Sequence, residues 1–262
     1  LNSEFYETYH YYQKKMKDSF ITSKNSSSRC KIGPIIAIDG PAASGKSTTA
    51  HLLAKRLGYS YIDTGAMYRA LTWKALKNKV DLKNEETLCL LAKETQILLR
   101  PQFDGKTRVY VDGEEASSLI RSPKVNEFVS LVSGAKRVRE VMVAQQRIMG
   151  EKGKIVAEGR DIGTVVFPEA EIKIFLNASL KERVKRRWEE QRRKGLSLKK
   201  REVFTELLNR DRIDTQREYA PLRRAKGATV IDNTYLNISQ TVEEILKIVK
   251  KKLSNEGNLP MV

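Results

Sequence analysis

The sequence predicts an α/β protein: a three-layer α/β/α core on a parallel sheet, with one inserted subdomain. Two observations lead there. From Pro34 onward, short apolar runs alternate with amphipathic stretches of helical period, the signature of strands joined by crossover helices. Residues 80–130 break that rhythm: TRVYVDGEEA alternates with period two around an Asp-Gly, the mark of a small hairpin.

Taken in order, IIAID is a short buried strand, and the helix from Lys46 presents Leu52, Leu53 and Leu57 to a core. SYID is a second strand, leading into a helix through Ala66, Tyr68, Leu71 and Trp73. KIVAEG and EIKIFLNA read as two further buried strands, followed by a charged helix from Leu180. TVIDN is the last strand and VEEILKIVKKKL a closing amphipathic helix. Residues 1–31 are polar, with Tyr6, Tyr9, Tyr11 and Tyr12 early and SKNSSSR late, and read as a flexible arm outside the core.

The 262 residues, 40% of them hydrophobic, suffice for one large domain or a core with an insertion. No run of about 18 apolar residues occurs, so no membrane span is expected. The N-terminal residues lack a basic region followed by an apolar one, which argues against a secretory signal. Cys30 and Cys89 are too few and too far apart for a disulfide framework or a zinc site, and a cytoplasmic location is the expectation. The formal net charge of +17 points to nucleic acid or to small anionic substrates. It is concentrated: residues 181–201 hold eleven Lys/Arg against three Glu.

The stretch GPAASGKS, residues 40–47, satisfies G-x-x-x-x-G-K-[ST] between a strand and a helix. Gly40 and Gly45 let the backbone of Pro41, Ala42, Ala43 and Ser44 wrap tightly, so that N–H groups point at phosphate oxygens. Lys46 places a cation on the β/γ-phosphates, Ser47 offers a hydroxyl to Mg²⁺, and the helix that runs on through Thr48 adds its N-terminal partial charge. A GTPase would add an NKxD-type base-reading motif, and none is present. KIVAEG is the nearest thing to the acidic strand of an ATP-driven motor, but the residues after it lead elsewhere.

Those residues are EGRDIGTVVFP, in which two glycines bracket Arg160 and Asp161. Ligands of an open parallel sheet bind beyond the carboxyl ends of its strands, so this turn is expected beside the phosphate loop. DTGAMYR follows the second strand, with a glycine turn and then Arg69 one helical turn on. RIDTQREYAPL sets Asp214 and Arg217 three apart, expected on one helix face. Arginine forks bind phosphate bidentately, so Arg69, Arg160 and Arg217 together with the loop imply two phosphorylated molecules.

GPAASGKS, DTGAMYR, RVRE, GRDIGTVVFP and IDTQREYAPL stand in the order and spacing of bacterial-type cytidylate kinases, which the chain resembles over residues 35–250. The resemblance implies the P-loop nucleoside monophosphate kinase fold with a helical lid. The core would then span 32–79 and 134–252, the NMP-binding insertion 80–133, the lid about 183–200 and a C-terminal tail 253–262. It implies phosphoryl transfer from ATP to CMP or dCMP, with ATP on residues 40–48 and on Arg183 and Arg187, and with Arg192 and Arg193 in the same lid. Arg69, Arg160 and Arg217 would grip the CMP phosphate, with Thr64 close by. Ser130, Arg139 and Asp161 would read cytosine, and Asp214 would hold the sugar. Mg²⁺ would sit on Ser47, with Asp39 orienting a metal-bound water. Lys46, Arg69, Arg160 and Arg217 would carry catalysis. A CMP phosphate oxygen is already a nucleophile, so no general base is needed; His10 lies in the arm and His51 reads as structural. The resemblance also implies a monomer that needs no nucleic acid or membrane, the basic segment being a cover over ATP. Thr64 stands where the family often has Ser, and the arm is absent from typical members. Two alternatives stay open: another small-molecule P-loop kinase, and a nucleic-acid-binding NTPase.

Overall fold

The computed structural model describes residues 33–102, 107–193 and 195–255. The expected arm, with His10 and Cys30, and residues 256–262 of the expected tail lie outside the described residues. The chain forms two compact units: one combines Pro34–Asp63 with the chain from Lys154 onward, and the other holds Thr64–Gly153.

The first unit is built on five strands: β1 (Ile35–Asp39), β2 (Ser60–Asp63), β6 (Ile155–Gly159), β7 (Ile172–Asn177) and β8 (Thr229–Asp232). They lie in the order β2-β6-β1-β7-β8, and every pairing is parallel. β1 and β6 are buried at all five positions, as central strands covered on both faces must be. Helices α1 (Lys46–Leu57) and α8 (Ile238–Asn255) supply the apolar cover. Leu53 and Ala54 of α1 and Val242, Ile245 and Val249 of α8 pack in one cluster with Ile36, Ile38, Ile174 and Leu176 of the sheet. Each leucine, isoleucine and valine among them stabilises the fold by about 1.5–3 kcal/mol. Because the strands are parallel, all five carboxyl ends lie on one edge. The loop after β1 and the Arg160–Asp161 turn after β6 therefore leave adjacent strands in the same direction.

Helices α6 (Leu180–Arg193) and α7 (Lys200–Gln216) follow β7 and pack against each other. Val184, Val203 and Leu207 form a second small core, and Ala42 of the loop is part of it.

The second unit opens with α2 (Thr64–Lys77) and α3 (Glu85–Glu94), the latter capped by Asn84, whose side chain accepts from the Thr87 amide at 3.0 Å. An antiparallel sheet follows, of β3 (Ile97–Pro101), β4 (Thr107–Val111) and β5 (Glu114–Glu115). Asp112 and Gly113, at φ 51° and 87°, make the hairpin turn that the Asp-Gly predicts. β3 is an addition to that expectation: it pairs along the other side of β4, Leu99 opposite Val109. Helices α4 (Pro123–Gly134) and α5 (Lys136–Gly150) complete the unit.

Two local expectations are corrected. α2 starts at Thr64, directly after β2, so Gly65 lies inside its first turn and no glycine turn separates strand from helix. Helix α7 ends at Gln216, and Arg217 is its extended C-cap (φ −60°, ψ 140°). Asp214 and Arg217 thus do not share a helix face; the chain turns away toward Pro221, which forbids continuation of the helix.

Candidate active site

The phosphate loop is shaped by close approach. A Cβ on Gly40 would lie 2.1 Å from the Leu176 carbonyl oxygen of β7, so only glycine lets the chain leave β1 there. Gly45 sits at φ 91° as the N-cap of α1, which aims the first amides of that helix into the loop. Ala43 is left-handed at φ 59°, a conformation that costs an alanine roughly 1–2 kcal/mol.

Lys46 is 4% exposed, and its Nζ donates to the Pro41 carbonyl (2.6 Å) and to Ser44 Oγ (3.3 Å). Burial, reinforced by Arg160, pushes its ammonium down to about 7. The Ser47 hydroxyl donates to Glu158 Oε1 at 2.6 Å. Burial and the neighbouring Asp63 raise the Glu158 carboxyl, while Lys46 opposes them. Asp39 accepts the amides of Ile162 and Gly163 at 2.7 and 2.8 Å, and so ties the end of β1 to the Arg160–Asp161 turn. Burial raises its carboxyl to about 7 despite those amides.

The same unit gathers the acceptor-side residues from α7 and β6. Arg160 donates through Nε to Asp214 Oδ2 at 2.7 Å. Burial alone would raise Asp214, but Arg160 and Arg210 outweigh it and hold the carboxyl below its ordinary value. Arg217 lies 3.7 Å from Asp161 Oδ1 and donates through Nε to the Ala220 carbonyl at 2.6 Å. Lys46, Glu158, Arg160, Arg210 and Asp214 thus share one electrostatic neighbourhood.

The lid arginines have protein partners. Arg183 is buried, donating to the carbonyls of Ala178 and Ala42, both at 3.1 Å, and to Asp211 Oδ2 at 2.6 Å. Arg187 pairs with Glu190 (3.1 Å) and Glu206 (3.6 Å). Arg192 stacks over the Trp188 ring.

The other unit holds the remaining residues. Arg69, on α2, hydrogen-bonds Asn126 Oδ1 of α4. Arg139, 1% exposed on α5, donates to the Ser133 carbonyl at 3.0 Å, and its guanidinium lies 5.1 Å from the Tyr68 ring centre. Ser130 is buried on α4, and Thr64 is buried at the start of α2.

Four residues escaped the sequence reading. Glu158 closes an apolar strand with an acid, a signal that was present. Arg210 lies one helical turn before Asp214; its Nε is sheltered without a partner among the described residues, and burial and Arg160 lower its guanidinium to about 10. Tyr68 stands inside DTGAMYR but with no role readable there, and Asn126 lies outside every motif, since their part depends on how α2 meets α5 and α4.

Ser47 and Glu158 offer hard oxygens of the kind that Mg²⁺ takes. No cluster of three or more His, Cys, Asp or Glu that could cage a metal exists among the described residues. A divalent ion there would draw most of its ligands from phosphates and water, as Mg²⁺ does. No helix among the described residues is long and apolar enough to cross a membrane.

A sequence profile described as cytidylate kinase matches residues 36–251. The chain is 50% identical over 218 residues to a cytidylate kinase of Geobacillus sp. (strain WCH70), covering 83% of this chain and 97% of that protein. It is 48% identical over 217 residues to a cytidylate kinase of Bacillus subtilis (strain 168), covering 83% and 96%. Among solved structures it is similar to a shikimate kinase from Acinetobacter baumannii in complex with shikimate, at a TM-score of 0.43 and 13% identity over 84% of this chain and 95% of that one. With a phosphate loop and arginine–carboxylate pairs gathered on one sheet edge, and 48–50% identity to named relatives over almost their whole length, the chain belongs to the cytidylate kinase family.

Proposed function

We propose that this protein transfers the γ-phosphate of ATP to CMP, and to dCMP, giving CDP or dCDP and ADP. The observation that carries the reading lies in the first unit: the loop bearing Lys46 and the turn bearing Arg160 leave neighbouring parallel strands in the same direction. Donor and acceptor phosphates then meet at one sheet edge, and family membership supplies the acceptor's identity.

In this reading the amides of residues 40–48 and Lys46 take the ATP phosphates, with Arg187 reaching the chain from α6. Mg²⁺ would be held by Ser47, with Glu158 orienting that hydroxyl, and would neutralise charge on the transferring phosphoryl group. Asp39 is better placed to hold the Ile162 and Gly163 amides than to orient a metal-bound water. Arg160 and Arg217, joined by Arg69, grip the CMP phosphate, exchanging carboxylate partners for phosphate oxygens. Asp161, Ser130 and Arg139 read the cytosine edge, Asp214 holds the sugar, and Thr64 borders the acceptor. Residues 80–133 serve as the NMP-binding insertion and residues 183–200 as the lid that excludes water.

A CMP phosphate oxygen attacks the γ-phosphorus while the bond to the β-bridging oxygen breaks, and ADP leaves with that electron pair. The attacking oxygen is already anionic near neutral pH, so positioning and charge stabilisation carry the step without a general base. The basic segment needs no nucleic acid, since part of its charge meets Asp211, Glu190 and Glu206 within the protein. Initial rates with CMP, dCMP, UMP and AMP as acceptors test the assignment. CMP should be preferred over UMP by about tenfold or more, and Asp161→Ala should narrow that ratio. An unchanged ratio in the variant removes Asp161 from base reading.

A further inference from the structure

The back of the phosphate loop is gripped from outside. The Ala42 backbone is held at both ends: its N–H donates to Asp211 Oδ1 (3.4 Å), and its carbonyl accepts from Arg183 Nη1 (3.1 Å). Arg183 and Asp211 are themselves joined at 2.6 Å, so one ion pair spans helices α6 and α7 and closes on the backbone of a single residue, holding the peptide units on either side of it. Two residues on, the Ser44 carbonyl accepts from Asn233 Nδ2 at 3.0 Å and from Arg186 Nη1 at 3.3 Å. Arg186 also bonds the Asn233 side chain and carbonyl, at 3.0 and 2.7 Å. Left-handed Ala43 lies between these two pinned carbonyls. Beneath them the Ala42 methyl packs with Val184, Val203 and Leu207.

We propose that Arg183 and Asp211 form a clamp that holds the phosphate loop in its anion-binding shape, making them positioning residues for the donor triphosphate. Carbonyls that are engaged from behind cannot swing into the loop and repel phosphate oxygens, and the positive-φ turn at Ala43 is kept from relaxing. The first two turns of α6 thereby belong to the loop's foundation. Arg183 spends its guanidinium on Ala178, Ala42 and Asp211 and does not reach out to ATP.

This inference rests on the loop being the ATP site, and one neutral substitution separates it from direct contact between Arg183 and ATP. Asp211→Asn keeps an oxygen for the Ala42 amide but removes the charge that fixes Arg183. If Arg183 bound ATP directly, that change would free it and leave triphosphate binding equal or tighter. The clamp requires the opposite sign. Calorimetric binding of inorganic tripolyphosphate, with KM for ATP and for CMP, should give about threefold weaker binding and a matching rise in the ATP KM for Asp211→Asn. Arg183→Met should lose tenfold or more, Arg183→Lys should fall between, and the double variant should be no worse than Arg183→Met alone. The CMP KM should stay within about twofold throughout. Tripolyphosphate binding at or above the wild-type level in Asp211→Asn, or parallel rises in both KM values, overturns the clamp. A wild-type protein that binds neither tripolyphosphate nor ATP overturns instead the reading of the loop itself.

Discussion

The phosphate loop and the α6–α7 pair are both basic or glycine-rich on paper, but they work in different ways. The loop acts through its backbone: Gly40 is dictated by the Leu176 carbonyl 2.1 Å from where its Cβ would stand, and Gly45 by φ 91°. The helices act through long side chains, whose partners are settled by packing. Arg183 turns inward to Asp211 and Ala42, and Arg187 lies along Glu190 and Glu206. A backbone device is thus fixed by local spacing, whereas a cationic segment can serve a ligand, a neighbouring carboxylate or the loop behind it.

That contrast orders the expected effects of substitution. Lys46→Ala removes the buried ammonium that the proposal sets on the ATP phosphates, and turnover should fall about a thousandfold or more in a steady-state assay with saturating ATP and CMP. A loss below tenfold would mean that the helices, not the loop, carry the chemistry. Gly40→Ala should cost about a hundredfold in kcat/KM for ATP, because the loop must shift by an ångström or more to clear the β7 backbone. Wild-type kinetics there would show that the loop tolerates displacement. Arg187→Ala should be far milder, about tenfold in the ATP KM. Its thermal midpoint should hardly change, since partly exposed ion pairs contribute about 0–1 kcal/mol.

The smallest effect concerns stability and pH. An unfolded lysine titrates near 10.5, but burial pushes folded Lys46 to about 7. Between those values the unfolded chain binds more protons, so this group makes stability rise as pH rises from about 7 to about 10. Asp39, raised from 3.8 to about 7, acts in the other direction below neutrality: its folded form binds more protons, and stability falls as pH climbs through that window. Calorimetric midpoints measured from pH 7 to pH 10 should rise less in Lys46→Met than in the wild type. Equal slopes would place the lysine charge in solvent.

The parts of the fold that could be read from sequence are the apolar runs set between helical stretches and the forced turn. All five parallel strands fall on the short apolar runs between helical stretches, and the Asp112–Gly113 hairpin falls where alternation and Asp-Gly place it. β3 was not legible, because its three apolar residues run straight into Arg100 and Pro101, and only pairing with β4 makes ILLRP a strand. The site divides likewise. Lys46, Ser47, Arg160 and Asp161 follow from motifs at strand ends, but Glu158 becomes meaningful only once the Ser47 hydroxyl is seen 2.6 Å away. The spacing predicts Asp214 and Arg217 on one helix face, and the end of α7 at Gln216 separates them; the roles proposed for them do not depend on that face. The resemblance assigns Arg183 to ATP, and nothing in its own segment marks Asp211 as the residue it meets.

The most direct test of phosphoryl transfer between two nucleotides follows the phosphorus itself. In ³¹P spectra of the protein with ATP, Mg²⁺ and CMP, the γ resonance of ATP should disappear one for one with the growth of the β resonance of CDP, with little inorganic phosphate. Inorganic phosphate accumulating at the rate of ATP loss, with no CDP, would contradict the account and make the protein an NTPase.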